Sequence, residues 1–135
     1  MFNYLAFALP LIMFPIIIIV FVLVNRFVRQ PLGIEEGKTP IHSEICGAYV
    51  ANSNSTYPFV RVALYDEFIV IKKLFNTTVL NYKDIADASL SRFSIAKSGI
   101  KITHKRSDIH ERVIIWTFNP DTLLNKLHEK LKENI

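Results

Sequence analysis

Residues 2–24, FNYLAFALPLIMFPIIIIVFVLV, contain no charged side chain, and Asn3 is their only strongly polar residue. A helix of this length reaches roughly 35 Å at about 1.5 Å per residue. That length crosses a hydrocarbon layer about 30 Å thick. The β-branched run at 16–20 would form a poor helix in water, but a helix satisfies its backbone hydrogen bonds internally, as lipid requires. The sequence therefore predicts a transmembrane helix that tolerates Pro10 and Pro15.

Two other interpretations of this stretch are a buried core helix of a soluble domain and a cleaved signal peptide. A core helix of this length rarely lacks a polar face. A signal peptide carries basic residues before its apolar run and small residues at its cleavage site, whereas Val24-Asn25-Arg26 offers no such site. The sequence therefore favours a retained anchor that comprises residues 1–29.

The orientation of this anchor is predicted from the basic residues beside it. Arg26 and Arg29 follow the apolar run directly, and no Lys or Arg precedes it. The positive-inside rule then puts the C-terminal side in the cytoplasm and the N-terminus outside. The lone cysteine, Cys46, agrees with a reducing compartment, because it has no internal disulfide partner.

The remaining part of the chain is long enough for one small domain, which we place at residues 44–135. Residues 30–43 contain Pro31, Gly33, Gly37 and Pro40, a composition that predicts a flexible linker with an end-to-end distance of roughly 20 Å. The net charge of +4 is mild, and basic and acidic residues are interspersed. This pattern argues against a nucleic-acid partner.

Short β-branched and aromatic runs separated by turn residues follow the linker and predict seven strands. A polar loop at 52–56 is expected after the first of them. The predicted strands are 44–51, 58–65, 68–73, 78–82, 88–95, 100–104 and 112–118. Residues 113–118 are apolar on both faces, which favours burial on both sides over an exposed strip for a partner.

The last segment changes to a helical period. Asn119 is the expected N-cap, Pro120 suits the first helical position, and Asp121 places an acid in the first turn. The amphipathic helix that follows carries four leucines on one face: Leu123, Leu124, Leu127 and Leu131. The predicted fold class is therefore α+β, with a C-terminal helix covering a sheet of bent antiparallel strands.

This order of elements resembles a pleckstrin-homology-like (PH-like) domain. Four local sequences are similar to landmarks of bacterial PH-like and GRAM-like domains: LYDEFIVI at 64–71, YKDI at 82–85, SGIKI at 98–102 and WTFNPDTLL at 116–124. The resemblance covers roughly residues 44–131. It implies a seven-stranded barrel or sandwich that binds rather than catalyses, in a single-pass protein of a bacterial inner membrane.

Lys97, Lys101, Lys105 and Arg106 form the most notable basic cluster of the sequence. Alternation places Lys101 on the solvent side, where it would contact lipid headgroups or an acidic partner. An ordinary solvated strand face is the other interpretation. The loop at 52–57 contains no basic residue, whereas phosphoinositide-binding members of the resembled family use Lys and Arg there.

No residue pattern points to catalysis, a metal or a cofactor. The sequence contains no P-loop, G-x-S-x-G or dinucleotide fingerprint. Cys46 is expected to be a small buried residue rather than a nucleophile. The histidines lack zinc-ligand spacing; they are His42, His104, His110 and His128.

We therefore expect a non-enzymatic module that is anchored in lipid and recruits or regulates a protein partner at the membrane. Exposed strand edges and the groove beside the last helix are the surfaces expected to bind this partner. The alternative is a sensor of anionic lipid headgroups that uses residues 97–106. An enzyme is the third hypothesis.

Overall fold

The computed structural model describes residues 4–94, 97–109 and 112–135. In chain order, one α-helix precedes seven strands and a second α-helix follows them. Two short 3-10 turns, Gly33–Glu35 and Tyr82–Asp84, lie in the connections. The helices are α1 (Tyr4–Arg29) and α2 (Pro120–Glu133). The strands are β1 (His42–Val50), β2 (Ser53–Leu64), β3 (Phe68–Lys73), β4 (Thr77–Asn81), β5 (Ile85–Ser94), β6 (Lys97–His104) and β7 (Val113–Trp116).

The strands form one antiparallel sheet in the order β4-β3-β2-β1-β7-β6-β5, curled into a half-barrel. Alternate residues of each strand face the inside, where α2 contributes Leu123 and Leu127 to the same core. Cys46 belongs to this core and is 1 % exposed, as expected, and burial raises the pKa of its thiol. The predicted α+β class with seven strands and a C-terminal helix is confirmed.

The predicted polar loop at 52–56 is wrong. Ala51 and Asn52 form a two-residue turn with φ values of 53° and 58°, a conformation typical of tight hairpins. The polar residues after it already belong to β2, where Asn54 pairs with Tyr49 and Ser55 with Ala48. Their backbone groups complete the ladder whatever their side chains are, so composition alone misplaced the start of the strand.

An irregularity in the β1–β2 register follows at Gly47. Cys46 pairs with Val60, whereas Ala48 already pairs with Ser55, so residues 56–59 of β2 lie opposite a single glycine. A Cβ at Gly47 would lie 3.1 Å from the backbone oxygen of Ser55. This close approach favours glycine, and the extra residues of β2 bulge outward there.

The predicted flexible linker is in contact with the sheet. Its 3-10 turn buries Glu35, which is 2 % exposed, and Leu32 packs against an outer cluster of Ala63, Tyr65, Phe68 and Val70. The outer face is therefore covered at the C-terminal end of β2, where residues 60–64 are all buried, and β3 is buried along its whole length. A charged pair, Glu35 and Arg61, joins this segment to β2. The flexibility of the segment stays a prediction.

Helix α1 is continuous through Pro10 and Pro15. Its stretch Ala6–Arg29 is long and apolar enough to cross a membrane, with a mean hydropathy of 3.1. The most apolar part of this stretch contains no buried residue. The end of the helix behaves differently, since Val28 is fully buried against the domain.

Candidate functional site

Two basic residues of the sheet bind the last turn of α1. Arg61 in β2 and Lys72 in β3 are paired in register. Arg61 Nε donates to the Val28 carbonyl at 3.1 Å, and Lys72 Nζ donates to the carbonyls of Phe27 at 2.7 Å and Gln30 at 2.9 Å. The last carbonyls of a helix lack intrahelical partners and carry partial negative charge. The two cations therefore cap α1 and fix its end on the sheet.

Glu35 completes this site, which we call the capping network (Glu35, Arg61, Tyr65 and Lys72). Its carboxylate accepts hydrogen bonds from Arg61 Nη1 at 2.8 Å and Nη2 at 2.7 Å. It also accepts one from the Tyr65 hydroxyl at 2.7 Å. The fork-shaped guanidinium and the carboxylate match each other geometrically, and such charge-assisted pairs are the strongest protein hydrogen bonds.

The electrostatics of the capping network favour its charged form. Burial alone would raise the pKa of Glu35, but hydrogen bonds from Arg61, the Leu32 N–H and Tyr65 outweigh burial and hold that pKa below its ordinary value. Burial lowers the pKa of Lys72, and the neighbouring charge of Arg61 lowers it further, while Glu35 acts in the opposite direction. The acid thus offsets part of the cost of burying two adjacent cations.

The predicted topology residues lie on the last turn of α1. Arg26 and Arg29 are both exposed, and Arg29 Nε donates to Asn25 Oδ1 at 2.6 Å. Their role in orienting the helix stays a prediction.

An exposed aromatic pair lines a cavity that also reaches Arg29, the last residue of α1. The bulge of β2 presents Tyr57, and the connection from β7 to α2 presents Phe118; their rings are 5.1 Å apart at 76°. Tyr57 is 54 % exposed and Phe118 is 83 % exposed. Cavities of about 880 Å³ and about 530 Å³ lie against this pair, and both residues line both of them. We call this surface the aromatic groove.

The two sides of the aromatic groove differ in chemistry. The larger cavity has charges of both signs at its rim, with Arg29 and Lys38 facing the same space as Glu36 and Glu44. The smaller cavity is uncharged and is lined by Gly47, Asn54, Thr56, Tyr57, Ser98, Trp116, Thr117, Phe118 and Pro120.

Two glycines make room for the indole in the smaller cavity. A Cβ at Gly47 would lie 3.4 Å from Trp116 Cε3, and a Cβ at Gly99 would lie 2.9 Å from Trp116 Cδ1 and 2.8 Å from the Ile115 carbonyl oxygen. Trp116 therefore lies close against the outer face of the sheet. The indole therefore forms one wall of the smaller cavity.

The expectation of burial for residues 113–118 is met only in part. Val113, Ile114 and Ile115 are buried, but β7 ends at Trp116, and Phe118 lies in the turn before α2, outside the sheet. The alternative, an exposed apolar strip, applies to Phe118.

The predicted basic cluster is spread along one strand. Lys101 lies in the middle of β6 and is half-buried, Lys105 is exposed beyond the strand, and the side chain of Lys97 lies outside the described residues. Four residues of strand span roughly 13 Å, which is the backbone separation of Lys97 and Lys101 along β6. Arg106 forms a two-point ion pair with Asp108 and donates to the Val79 carbonyl at 2.6 Å.

The histidines make separate local contacts. His42 Nδ1 lies 3.3 Å from Lys126 Nζ, and His128 Nε2 lies 2.7 Å from the Ala88 carbonyl oxygen. His110 is outside the described residues. In the described ranges, no three His, Cys, Asp or Glu side chains are grouped to hold a metal ion.

Comparison with known proteins shows the fold. The Vps36 N-terminal PH domain superposes with a TM-score of 0.57 at 21 % identity, over 78 % of this chain and 87 % of that one. The crystal structure of the C-terminal domain of an unknown protein from Leishmania infantum gives a TM-score of 0.58 at 12 % identity, over 71 % of this chain and 86 % of that one. No family model matches the chain, and no curated protein matches it either. The chain therefore has a PH-like α+β fold.

Proposed function

We propose that this chain is a membrane-anchored, non-enzymatic PH-like module that recruits or regulates a protein partner at the cytoplasmic face of a bacterial inner membrane. In this proposal α1 is the single-pass anchor, with its N-terminus outside. The aromatic groove receives an extended segment of the partner that inserts an apolar or aromatic side chain beside Tyr57 and Phe118.

The observation that carries the proposal is the exposure of two large aromatic rings that pack against each other. Tyr57 and Phe118 pack edge to face and leave most of their surface open beside two cavities. Aromatic side chains in desolvated pockets supply a large share of binding energy at protein interfaces. A bound side chain here would contact the two rings and the face of Trp116, while the mixed charges of the rim would select its neighbours.

The surroundings of the groove support binding rather than chemistry. Among the described residues, its lining contains no Cys, His or Asp. Glu35 and Arg61 reach the larger cavity, but each is already engaged in the capping network. Neither residue is therefore free to act as the general base that covalent catalysis requires.

The position of the groove supports a partner that is itself at the membrane. Arg29, the last residue of α1, lines the larger cavity. With α1 in the bilayer, the groove would lie close to the end of the span and therefore close to the membrane surface. The segment of a membrane protein next to its own span would reach it.

Site-specific photo-crosslinking tests this function. A photoreactive residue at Phe118 of the full-length protein in native membranes should form an adduct with one partner, and Tyr57→Ala should abolish that adduct. The matched control is the same probe at Leu90, which is 49 % exposed on β5 and outside the groove lining. The adduct should persist when α1 is replaced by an unrelated span. An adduct that follows α1 instead, or appears equally from Leu90, would refute the groove as the binding site.

Protease protection tests the proposed orientation. A protease added to intact cells should leave the PH-like domain whole and should digest it once the inner membrane is permeabilised. Digestion of the domain in intact cells, or a mature chain that starts near residue 26, would contradict the anchored topology.

The alternative function, a headgroup sensor through Lys97, Lys101, Lys105 and Arg106, stays a prediction. This function predicts that the domain binds anionic liposomes and that this binding weakens steeply as the salt concentration rises. The ion pair between Arg106 and Asp108 leaves one cation of the four already compensated, which is why the aromatic groove is the preferred proposal.

A further inference from the structure

Two sets of contacts align the sheet with α1. Arg61 contacts the helix at Val28, whereas Phe59, two residues earlier in β2, contacts Phe21 with ring centroids 6.3 Å apart at 74°. Following β2 backwards therefore follows α1 back toward its N-terminus. The two contacts are separated by roughly 10 Å of helix.

Strand β3 extends this alignment. It is antiparallel to β2, with Lys72 opposite Arg61 and Lys73 opposite Val60, so its C-terminal end points in the direction from Arg61 to Phe59. Lys72 is fixed to the last turn of α1. Strand β3 ends one residue later, at Lys73, and Phe75 lies in the turn that follows, at most roughly 10 Å farther along the chain. At about 1.5 Å per helical residue, that distance corresponds to at most about seven residues of α1, so we infer that Phe75 lies beside the last turns of the helix, between the levels of Phe21 and Phe27.

The tip of this hairpin has the chemistry of a lipid contact. Phe75 is 96 % exposed, in the turn between β3 and β4. No Asp or Glu occurs in residues 45–65 or 68–83, which supply this turn, the neighbouring β1–β2 turn and Phe59. Lys73 Nζ joins the two turns by donating to the carbonyls of Val50 at 2.8 Å and Ser53 at 3.1 Å. An exposed aromatic tip without acidic neighbours suits the membrane–water interface, where aromatic rings are enriched.

We propose that Phe75 inserts into the lipid–water interface beside α1, so that the domain rests on the membrane at a second point. This inference depends on the proposed anchoring of α1 in the bilayer. The occupant of the β3–β4 tip is the lipid surface itself, because the alignment with α1 carries the tip to the height where the span ends. A second copy of the chain or a protein partner would instead shield Phe75 from lipid.

Spin-label accessibility in the full-length protein tests the inference. Single cysteines replace Phe75, Phe118 or Ile17, and each variant is labelled and reconstituted in phosphatidylcholine vesicles. The native Cys46 is buried and stays unlabelled, which mass spectrometry checks. Oxygen, which concentrates in lipid, and a water-soluble nickel chelate then report the depth of each label. Phe75 and Phe118 are exposed, so these labels leave the core packing unchanged.

The expected result is a ratio of oxygen to nickel collisions several-fold higher at residue 75 than at residue 118, with residue 17 the highest. A nickel-accessible label at 75 together with a lipid-exposed label at 17 would overturn the insertion of Phe75 while leaving the anchor intact. A label at 75 shielded from both reagents would also overturn it, since protein would then cover the tip. A nickel-accessible label at 17 would refute the anchor itself and this inference with it.

Discussion

Replacing Glu35 by Gln tests whether the segment between α1 and β1 is fixed to the sheet by charge. The substitution keeps the size of the side chain and one acceptor oxygen but removes the charge that faces Arg61. Both residues are buried, at 2 % and 6 % exposure, and two guanidinium hydrogen bonds join them. The variant would leave the Arg61 cation buried without its counter-charge, so we expect the segment to detach from β2.

The size of the effect follows from the geometry of the pair. Removing one partner of a buried ion pair costs about 3–5 kcal/mol, because the other charge stays uncompensated. Detachment of the segment lets water solvate Arg61, which limits the loss to the free energy that docks the segment. We therefore expect about 3 kcal/mol, or roughly a hundredfold shift from the docked toward the released state.

Hydrogen exchange on the full-length protein in detergent micelles measures this shift. The amides of residues 30–43 should lose protection, including that of Ile41, which donates to the Leu64 carbonyl at 2.7 Å. Glu36→Gln is the matched control: it makes the same charge change at the adjacent exposed residue and should alter stability by less than about 0.5 kcal/mol. Adding Arg61→Met to Glu35→Gln should recover part of the loss. Equal exchange in the two single Gln variants would refute the reasoning.

Two further predictions concern pH and packing. The pKa of Glu35 is held below its ordinary 4.5, so the docking free energy is fully present above pH 4.5 and is lost as the pH falls through the lowered pKa. Glu35→Gln should abolish this acid-dependent step in hydrogen exchange. A step that persists in the variant would contradict its assignment to Glu35. Gly99→Ala should destabilise the domain by about 1–3 kcal/mol, because its Cβ would lie 2.8 Å from a backbone oxygen. Gly33→Ala, with no heavy atom within 4 Å, should be near neutral. Urea denaturation followed by Trp116 fluorescence compares the two, and equal midpoints would contradict the packing.

The fold was predictable because its signals are local. Period-two runs give the strands, the cap Asn119-Pro120 begins α2, and uninterrupted apolarity gives α1. Each signal lies within a single element, so one sequence sufficed to order the elements and match them to a PH-like fold. Errors arose where strand pairing, rather than composition, determines the start of a strand. An example is Ser53, where β2 begins in a polar stretch.

The sites were not predictable because they join distant residues. Arg61 alternates with apolar residues, a pattern that is also typical of solvent-facing positions. Its burial depends on Glu35, 26 residues earlier in the chain, and on the end of α1. Nothing in the composition of residues 30–43 indicates which of its acids is buried. Phe118 was expected in a buried strand, but β7 ends two residues before it. The aromatic groove therefore appears only when β7, the β2 bulge and the linker are placed together.

The docking of residues 30–43 also bears on how the aromatic groove would function. A flexible linker would let an anchored domain turn freely, and a partner would have to fix that rotation on binding. Here Arg61 and Lys72 bind the last turn of α1. Phe59 contacts Phe21, which lies about two helical turns before that end. The groove then has a set direction relative to the helix. Because association is weakened by every degree of freedom that it must freeze, this attachment favours partner binding without adding a contact to the partner.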